Sequence, residues 1–236
     1  MQEVLQLIQG RQSIRIPFNS ERPVAKQDLM QILEAGRWAP SAHNMQNFEI
    51  IIVDDIKLQE AMGNIKVSLS DTFIRESYQQ LSFSEEELLR KKVGLLGTTL
   101  PPALRTPEAK PEEPITEKAL RSFGRPLIVV VYDPNKRAPA SEGNFLGIMS
   151  LGCVMENMWL MANALGIGFQ VISGLSSEQV EKEVKSILNI PEYLKIAFAC
   201  RLGYPISTPT KSLRIRRNVE DFTHYNRFGN KSHDKD

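Results

Sequence analysis

The reading of this chain turns on Arg37-Trp38-Ala39-Pro40-Ser41-Ala42-His43-Asn44-Met45-Gln46, which leads through Asn47 into the apolar stretch Phe48-Glu49-Ile50-Ile51-Ile52-Val53. Before it, Leu29, Ile32, Leu33 and Gly36 keep helical spacing, which predicts a helix from about Lys26 to Arg37. Pro40 stops that helix, because a proline restricts the residue before it, Ala39, away from helical dihedrals. Ser41 and Asn44 bond their own backbone in turns of this kind and still offer a hydroxyl and an amide outward. A helix, an amide-rich turn and an immediate strand over 48–53 together describe a place where backbone is presented to a ligand.

Working outward, Pro126-Leu127-Ile128-Val129-Val130-Val131-Tyr132 is short, continuous and β-branched, the pattern of a strand covered on both faces. Asn144 to Leu165 reads as a long helix, followed by Gly166-Ile167-Gly168 and a strand over Phe169–Ile172. Ser176 or Ser177 is placed to cap a helix that aligns Val180, Val184, Ile187 and Leu188, and Lys195 to Leu202 reads as a last central strand. Ile56 to Ser70 and Glu85 to Leu96 look helical, but 97–114 carries Pro101, Pro102, Pro107, Pro111 and Pro114. That region, about 56–120, reads as an excursion, with its Pro-rich segment 97–114 either a passive loop or a lid over a substrate pocket. Helices and strands mix without strict βαβ alternation, so the expected class is α+β with a mixed central sheet flanked by helices. The expected organisation is one domain over residues 1–230, with 231–236 a disordered tail.

The chain has 236 residues, 42% of them hydrophobic, enough to bury one substantial core. Its 29 basic and 28 acidic residues leave a formal charge of +1, which gives no general attraction to nucleic acid or to an acidic membrane surface. Any anion site must therefore be local. Phe145 to Ile167 is long and apolar, but Glu156, Asn157 and Asn163 interrupt it, so a helix buried in the core or in a dimer interface is expected in place of a membrane span. Cys153 and Cys200 lie in apolar stretches without metal-ligand spacing and read as small buried hydrophobes, which fits a reducing, cytoplasmic compartment. No pair of histidines suggests a metal. His43 in the turn and His224 near the last arm read as structural, with the arm expected to wrap a partner subunit.

Two basic clusters accompany the turn: Arg11-Gln12-Ser13-Ile14-Arg15, and Arg214-Ile215-Arg216-Arg217 near the other end. A phosphate monoester is best held by arginine forks with hydroxyl and N–H donors. In an extended segment Arg11, Ser13 and Arg15 point to one side while Gln12 and Ile14 turn away, and Arg214 and Arg216 share the same alternation. Clusters of this kind beside an amide-rich turn suggest a phosphorylated cofactor.

The Arg-Gln-Ser-Ile-Arg opening, the turn at 38–46, the segment Asn157-Met158-Trp159-Leu160-Met161-Ala162-Asn163-Ala164-Leu165-Gly166-Ile167-Gly168 and the closing Arg-Ile-Arg-Arg with His224-Tyr225-Asn226-Arg227-Phe228-Gly229 together resemble the nitroreductase family of FMN enzymes. The likeness covers most of the chain, with about 55–120 outside it. It implies an intertwined homodimer with FMN at the subunit interface, reduced by NADH or NADPH and reoxidised by a small electron-poor acceptor in ping-pong order. It implies that Arg11, Gln12, Ser13 and Arg15 touch the flavin, with Arg214 and Arg216 closing on its phosphate. Pro40, Ser41, Ala42, Asn44 and Gln46 are implied to reach the flavin from the partner chain, while Ile172, Ser173 and Gly174 lie at the reactive N5 edge. Asn64 and Lys66 are candidates for mid-chain contacts. Two positions depart from the family: Asn47 replaces a common Pro, and Ser173 stands where some members carry an acid. Within the fold a specialised flavin reaction, such as reductive dehalogenation or an ene-type reduction, is the alternative, and a non-catalytic flavin binder is the rival of a different class.

Overall fold

The β-branched run at 127–132 becomes the most deeply buried strand of the described molecule. The computed structural model describes residues 2–65, 86, 87, 90, 124–172, 175, 178–208 and 216–231. The chain divides into two compact units, Met1–Ser68 with Glu113–Pro209, and Leu69–Glu112 with Thr210–Asp236. In the first unit the elements are α1 (Gln2–Gly10), α2 (Lys26–Arg37), β1 (Glu49–Val53), α3 (Ile56–Gly63), β2 (Leu127–Tyr132), α4 (Phe145–Ala164), β3 (Gly168–Ile172), α5 (Glu178–Ile187) and β4 (Lys195–Gly203). The second contains α6 (Val219–Phe222). The capping serines expected at 176 and 177, and most of the helix expected over 85–96, lie outside the described residues.

The strands form one sheet in the order β1-β2-β4-β3. The α+β class is as expected, but every described ladder is antiparallel where a mixed sheet was expected. The reason lies in the connections. β2 and β3 run parallel, joined across α4, and β4 inserts between them, so the strands that share a direction never become neighbours.

Side chains of β2 alternate between two cores. Leu127, Val129 and Val131 face Met62, Ile172, Leu175, Val180 and Val184, the layer of α3 and α5. Ile128 and Val130 face Ile32, Val154, Met158, Ala162 and Phe169, the layer of α2 and α4. Full burial of such side chains is worth about 1.5–3 kcal/mol each relative to exposure, which is why both faces must carry helices.

α4 buries Leu151, Val154, Met158 and Ala162, a stripe at helical spacing, against α2 and the sheet. Its mid-helix polar residues are used inside the unit: Asn157 Nδ2 donates to Ala35 O at 3.1 Å, and Glu156 pairs with Arg11. By length and composition alone α4 could cross a membrane, and only 22% of its apolar window is buried within this chain. The face left exposed carries Phe145, Leu146, Ile148 and Met149.

In the second unit a capping box closes α6 between Asn218 and Asp221. Lys231 Nζ then donates to the carbonyls of Glu220 and Asp221 at 2.9 and 3.0 Å, near the helix's C-terminal half. His224 Nδ1 accepts from Gly229 N at 2.9 Å, and its ring stacks on Phe228.

Candidate active site

The segment after α1 is tied to the sheet and to α4 along its length. Ile14 is buried and its N–H donates to Phe169 O at 3.0 Å; Ser13 is half-buried and Arg15 exposed. That is the inward–outward alternation expected of an extended segment. Arg11 departs from it. Its Nε stands 3.0 Å from Glu156 Oε1 and its guanidinium lies 4.3 Å over the Trp159 ring, which stacks on Phe169. Trp159 Nε1 donates to Gln12 O at 3.3 Å. Arg15 makes no ion pair among the described residues, and desolvation lowers its pKa from the ordinary arginine value. An unpaired guanidinium beside a half-buried hydroxyl suits a phosphate oxygen.

Phe18 anchors the far end of this segment. Gly168 and Gly203 face each other across β3 and β4, and their missing side chains leave a slot that the Phe18 ring fills. A Cβ at Gly168 would stand 2.5 Å from Phe18 Cε1, and one at Gly203 2.8 Å from Phe18 Cβ, too close for either to be accommodated without movement. Phe18 also bridges to Pro205, and Asn19 N donates to Tyr204 O at 2.8 Å. Sequence reasoning missed this anchor; its signal was the coincidence of a glycine just before one predicted strand and just after another.

The turn at 40–46 is built differently. Ser41 Oγ accepts from Gln46 N at 3.1 Å, and Asn44 Oδ1 accepts from Gln46 Nε2 at 3.2 Å. A single bond, Ala42 N to Ser150 Oγ at 3.0 Å, ties it to α4. His43, Asn44 and Gln46 hold φ of +50, +52 and +46, the left-handed region that non-glycine residues occupy at a cost. The hollow beneath Ser41, Ala42 and Ser150 is about 10 Å³, room for one water at most. The exposed polar side chains are those of His43, Asn44 and Gln46, and Pro40 is exposed as well. Asn47, in the family's proline position, accepts from Asp133 N and donates to Asp133 O and Lys136 O, fastening the entry of β1 to the loop after β2. A proline could make neither kind of bond.

At the end of α2 a charged clamp precedes the turn. Arg37 Nε and Trp38 Nε1 donate to Glu34 at 2.8 and 2.7 Å. These bonds, Arg37 first, hold the Glu34 carboxyl down to about 2, while Trp38 itself is exposed.

Within the first unit the two halves touch α4 at different heights. The turn meets it at Ser150 and the arginine segment at Glu156 and Trp159. The six to nine residues of helix between them correspond to about 9–13 Å along its axis. Beside the arginine segment lies an open hollow of about 240 Å³ against Gln12, Ile14, Trp159, Asn163 and Gly168. Ile172 is buried at the end of β3, whereas Ser173, Gly174, Arg214 and Lys66 lie outside the described residues. Asn64 is exposed and ends α3, its N–H donating to Glu60 O. Arg216 is exposed and belongs to the second unit.

The family model described as the nitroreductase family matches residues 8–204. The chain belongs to the nitroreductase family. The match includes the stretch about 55–120 that the motif resemblance left out, and stops short of the 214–229 motif. This nitroreductase-family chain is an oxidoreductase. It is 26% identical over 205 residues, 87% of either chain, to an Archaeoglobus fulgidus protein named as a candidate NADH dehydrogenase/NAD(P)H nitroreductase. A Bacteroides fragilis nitroreductase solved with bound FMN superposes with a TM-score of 0.60 at 22% identity, covering 92% of this chain and 96% of that one. The Vibrio harveyi NADPH:FMN oxidoreductase solved with NAD+ superposes with a TM-score of 0.60 at 19% identity, covering 95% and 77%. At those identities the structures speak for the shared fold.

Proposed function

We propose that this chain is an FMN-dependent oxidoreductase, working as a homodimer, that takes electrons from NADH or NADPH and delivers them in ping-pong order to a small electron-poor acceptor such as a nitroaromatic or a quinone. Bound FMN supplies the two-electron relay between nicotinamide and acceptor. The observation that carries the reading is Arg15, partly desolvated and without an ion pair among the described residues, beside Ser13 on a segment anchored to the core, within a chain of this family. Those donors suit the phosphate of FMN. Arg11 is already engaged with Glu156 and Trp159, so on this reading Ser13 and Arg15 bear more of the phosphate than Arg11 does.

The turn at 40–46 supports a site shared between two chains. The hollow under it admits no ring, its polar side chains face outward, and it meets α4 about 9–13 Å from the arginine segment. The apolar face of α4, with Phe145 67%, Met149 53% and Ile148 50% exposed, is the surface a second copy would cover. On this reading the protein's residues bind and orient the cofactor and exclude water, and no side-chain acid or base is required.

Two measurements test the proposal. The protein should purify yellow and release FMN on boiling, and anaerobic NADH or NADPH should bleach the flavin's visible band. A chain that takes up no FMN overturns the reading, and a yellow protein that does not bleach is a binder without the reductase activity. Arg15→Ala and Ser41→Ala chains, each flavin-poor alone, should regain one intact site per heterodimer when mixed. No recovery on mixing overturns the shared site.

A further inference from the structure

Arg201 stands in the middle of β4 with no exposed surface, and is the largest fully buried side chain among the described residues. Burying a cation is costly, and an apolar residue in such a place is often no less stable. Several neutral groups surround its guanidinium. Nη2 donates to Ile14 O at 3.2 Å and to Ile16 O at 2.8 Å, Nε donates to Gln170 Oε1 at 2.7 Å, and the guanidinium lies 4.4 Å over the Phe18 ring. Gln170 is the residue directly opposite on β3, so the sheet register itself aims the fork at the N-terminal segment.

Those contacts flank Arg15. The carbonyls before and after it are gripped by one rigid guanidinium, and Phe18, the anchor of the same segment, supplies the ring beneath. Nη2 holds both carbonyls while Nε is fixed on Gln170, and that planar arrangement sets backbone orientation in a way that a lysine's single ammonium cannot. We propose that Arg201 is a positioning residue for the cofactor phosphate: from inside the sheet it holds the backbone of residues 14–16 so that Arg15 and Ser13 remain outward on the surface where the phosphate binds. This rests on the reading of Ser13 and Arg15 as phosphate ligands. Burial and the nearby charge of Arg15 lower the Arg201 pKa to about 10, so it stays charged at neutral pH. An anion held at Arg15 offsets the repulsion between the two arginines.

The test compares FMN with riboflavin, which lacks the phosphate. Wild-type, Arg201→Met and Arg201→Lys proteins are stripped of flavin, retitrated with each flavin by fluorescence, and unfolded in urea without flavin. Removing a supporting partner weakens a ligand site by about tenfold to a hundredfold, and Arg201→Met should lose that much affinity for FMN while riboflavin binding holds. The preference for FMN then collapses, which a general loss of stability would not cause because both flavins would suffer alike. Arg201→Lys keeps the charge but not the fork and should lose most of the preference too. If Arg201→Met does not fold, Arg201→Lys decides alone. A folded Arg201→Met with the wild-type preference, or an Arg201→Lys that restores it fully, overturns the inference. A wild-type protein that binds both flavins equally overturns instead the phosphate reading beneath it.

Discussion

Between Ile14 and Phe18 the backbone is bonded to β3, gripped from β4 and closed by a ring in a glycine-lined slot, whereas between Ser41 and Gln46 it is bonded to itself and reaches α4 through one serine hydroxyl. The first segment is held by the core of its own chain. The second holds its own left-handed shape and keeps its polar side chains outward. The difference teaches that one half of the proposed site is prepared by tertiary packing and the other by local turn chemistry. Damage to the first should therefore spread into the fold, and damage to the second should stay local.

Phe18→Ala strikes the anchored half hardest. Deleting a buried phenylalanine costs about 3–5 kcal/mol, and urea unfolding should show a loss of that size together with loss of flavin. A cost below that range would mean the slot collapses around the smaller residue and the anchor is weaker than its contacts suggest. Gly168→Ala approaches the same slot from the other side. Its new methyl meets Phe18 and the Gly203 carbonyl, and overpacking of this kind costs about 1–3 kcal/mol. An unchanged urea midpoint for this variant would falsify the close fit.

Ser41→Ala tests the self-bonded half. It removes the acceptor for Gln46 N at an exposed site, so the fold should lose no more than about 1 kcal/mol, while flavin content falls far more than stability does. If stability and flavin fall together, the two halves are not built as differently as described. The smallest effect concerns the clamp before the turn. Glu34 is held below its ordinary 4.5, so its contribution is complete above that value and is lost as pH falls through about 2. In a Trp159→Phe protein, which leaves Trp38 as the remaining tryptophan, fluorescence should titrate near pH 2; a midpoint near 4.5 would show that Glu34 and Trp38 do not interact in solution.

Much of this was legible beforehand. The helix over Lys26–Arg37 matched at both ends, and β2, α4, β3 and β4 matched to within a residue or two, because long apolar periodicity and β-branched runs are local signals. The helix α1 was not anticipated, although Val4, Leu5 and Ile8 keep helical spacing; all three stay exposed in this chain. In sequence Arg201 is one residue of the strand read over Lys195 to Leu202. Its meaning depends on Ile14 and Ile16, more than 180 residues away in sequence, and on a register that no local pattern encodes. Arg11 was expected in line with Ser13 and Arg15, but Glu156 and the Trp159 face, brought alongside by α4, draw it away.

The amino-acid sequence by itself determined most of the elements, the α+β class, the amide-rich turn and the family, since each depends on residue types at short spacing. Only the tertiary structure decided that β4 lies between β2 and β3, that Phe18 fills the gap left by two facing glycines, and that Arg201 grips the segment carrying Arg15. Those three depend on which distant strands become neighbours, and that is settled by the packing of the whole core around them.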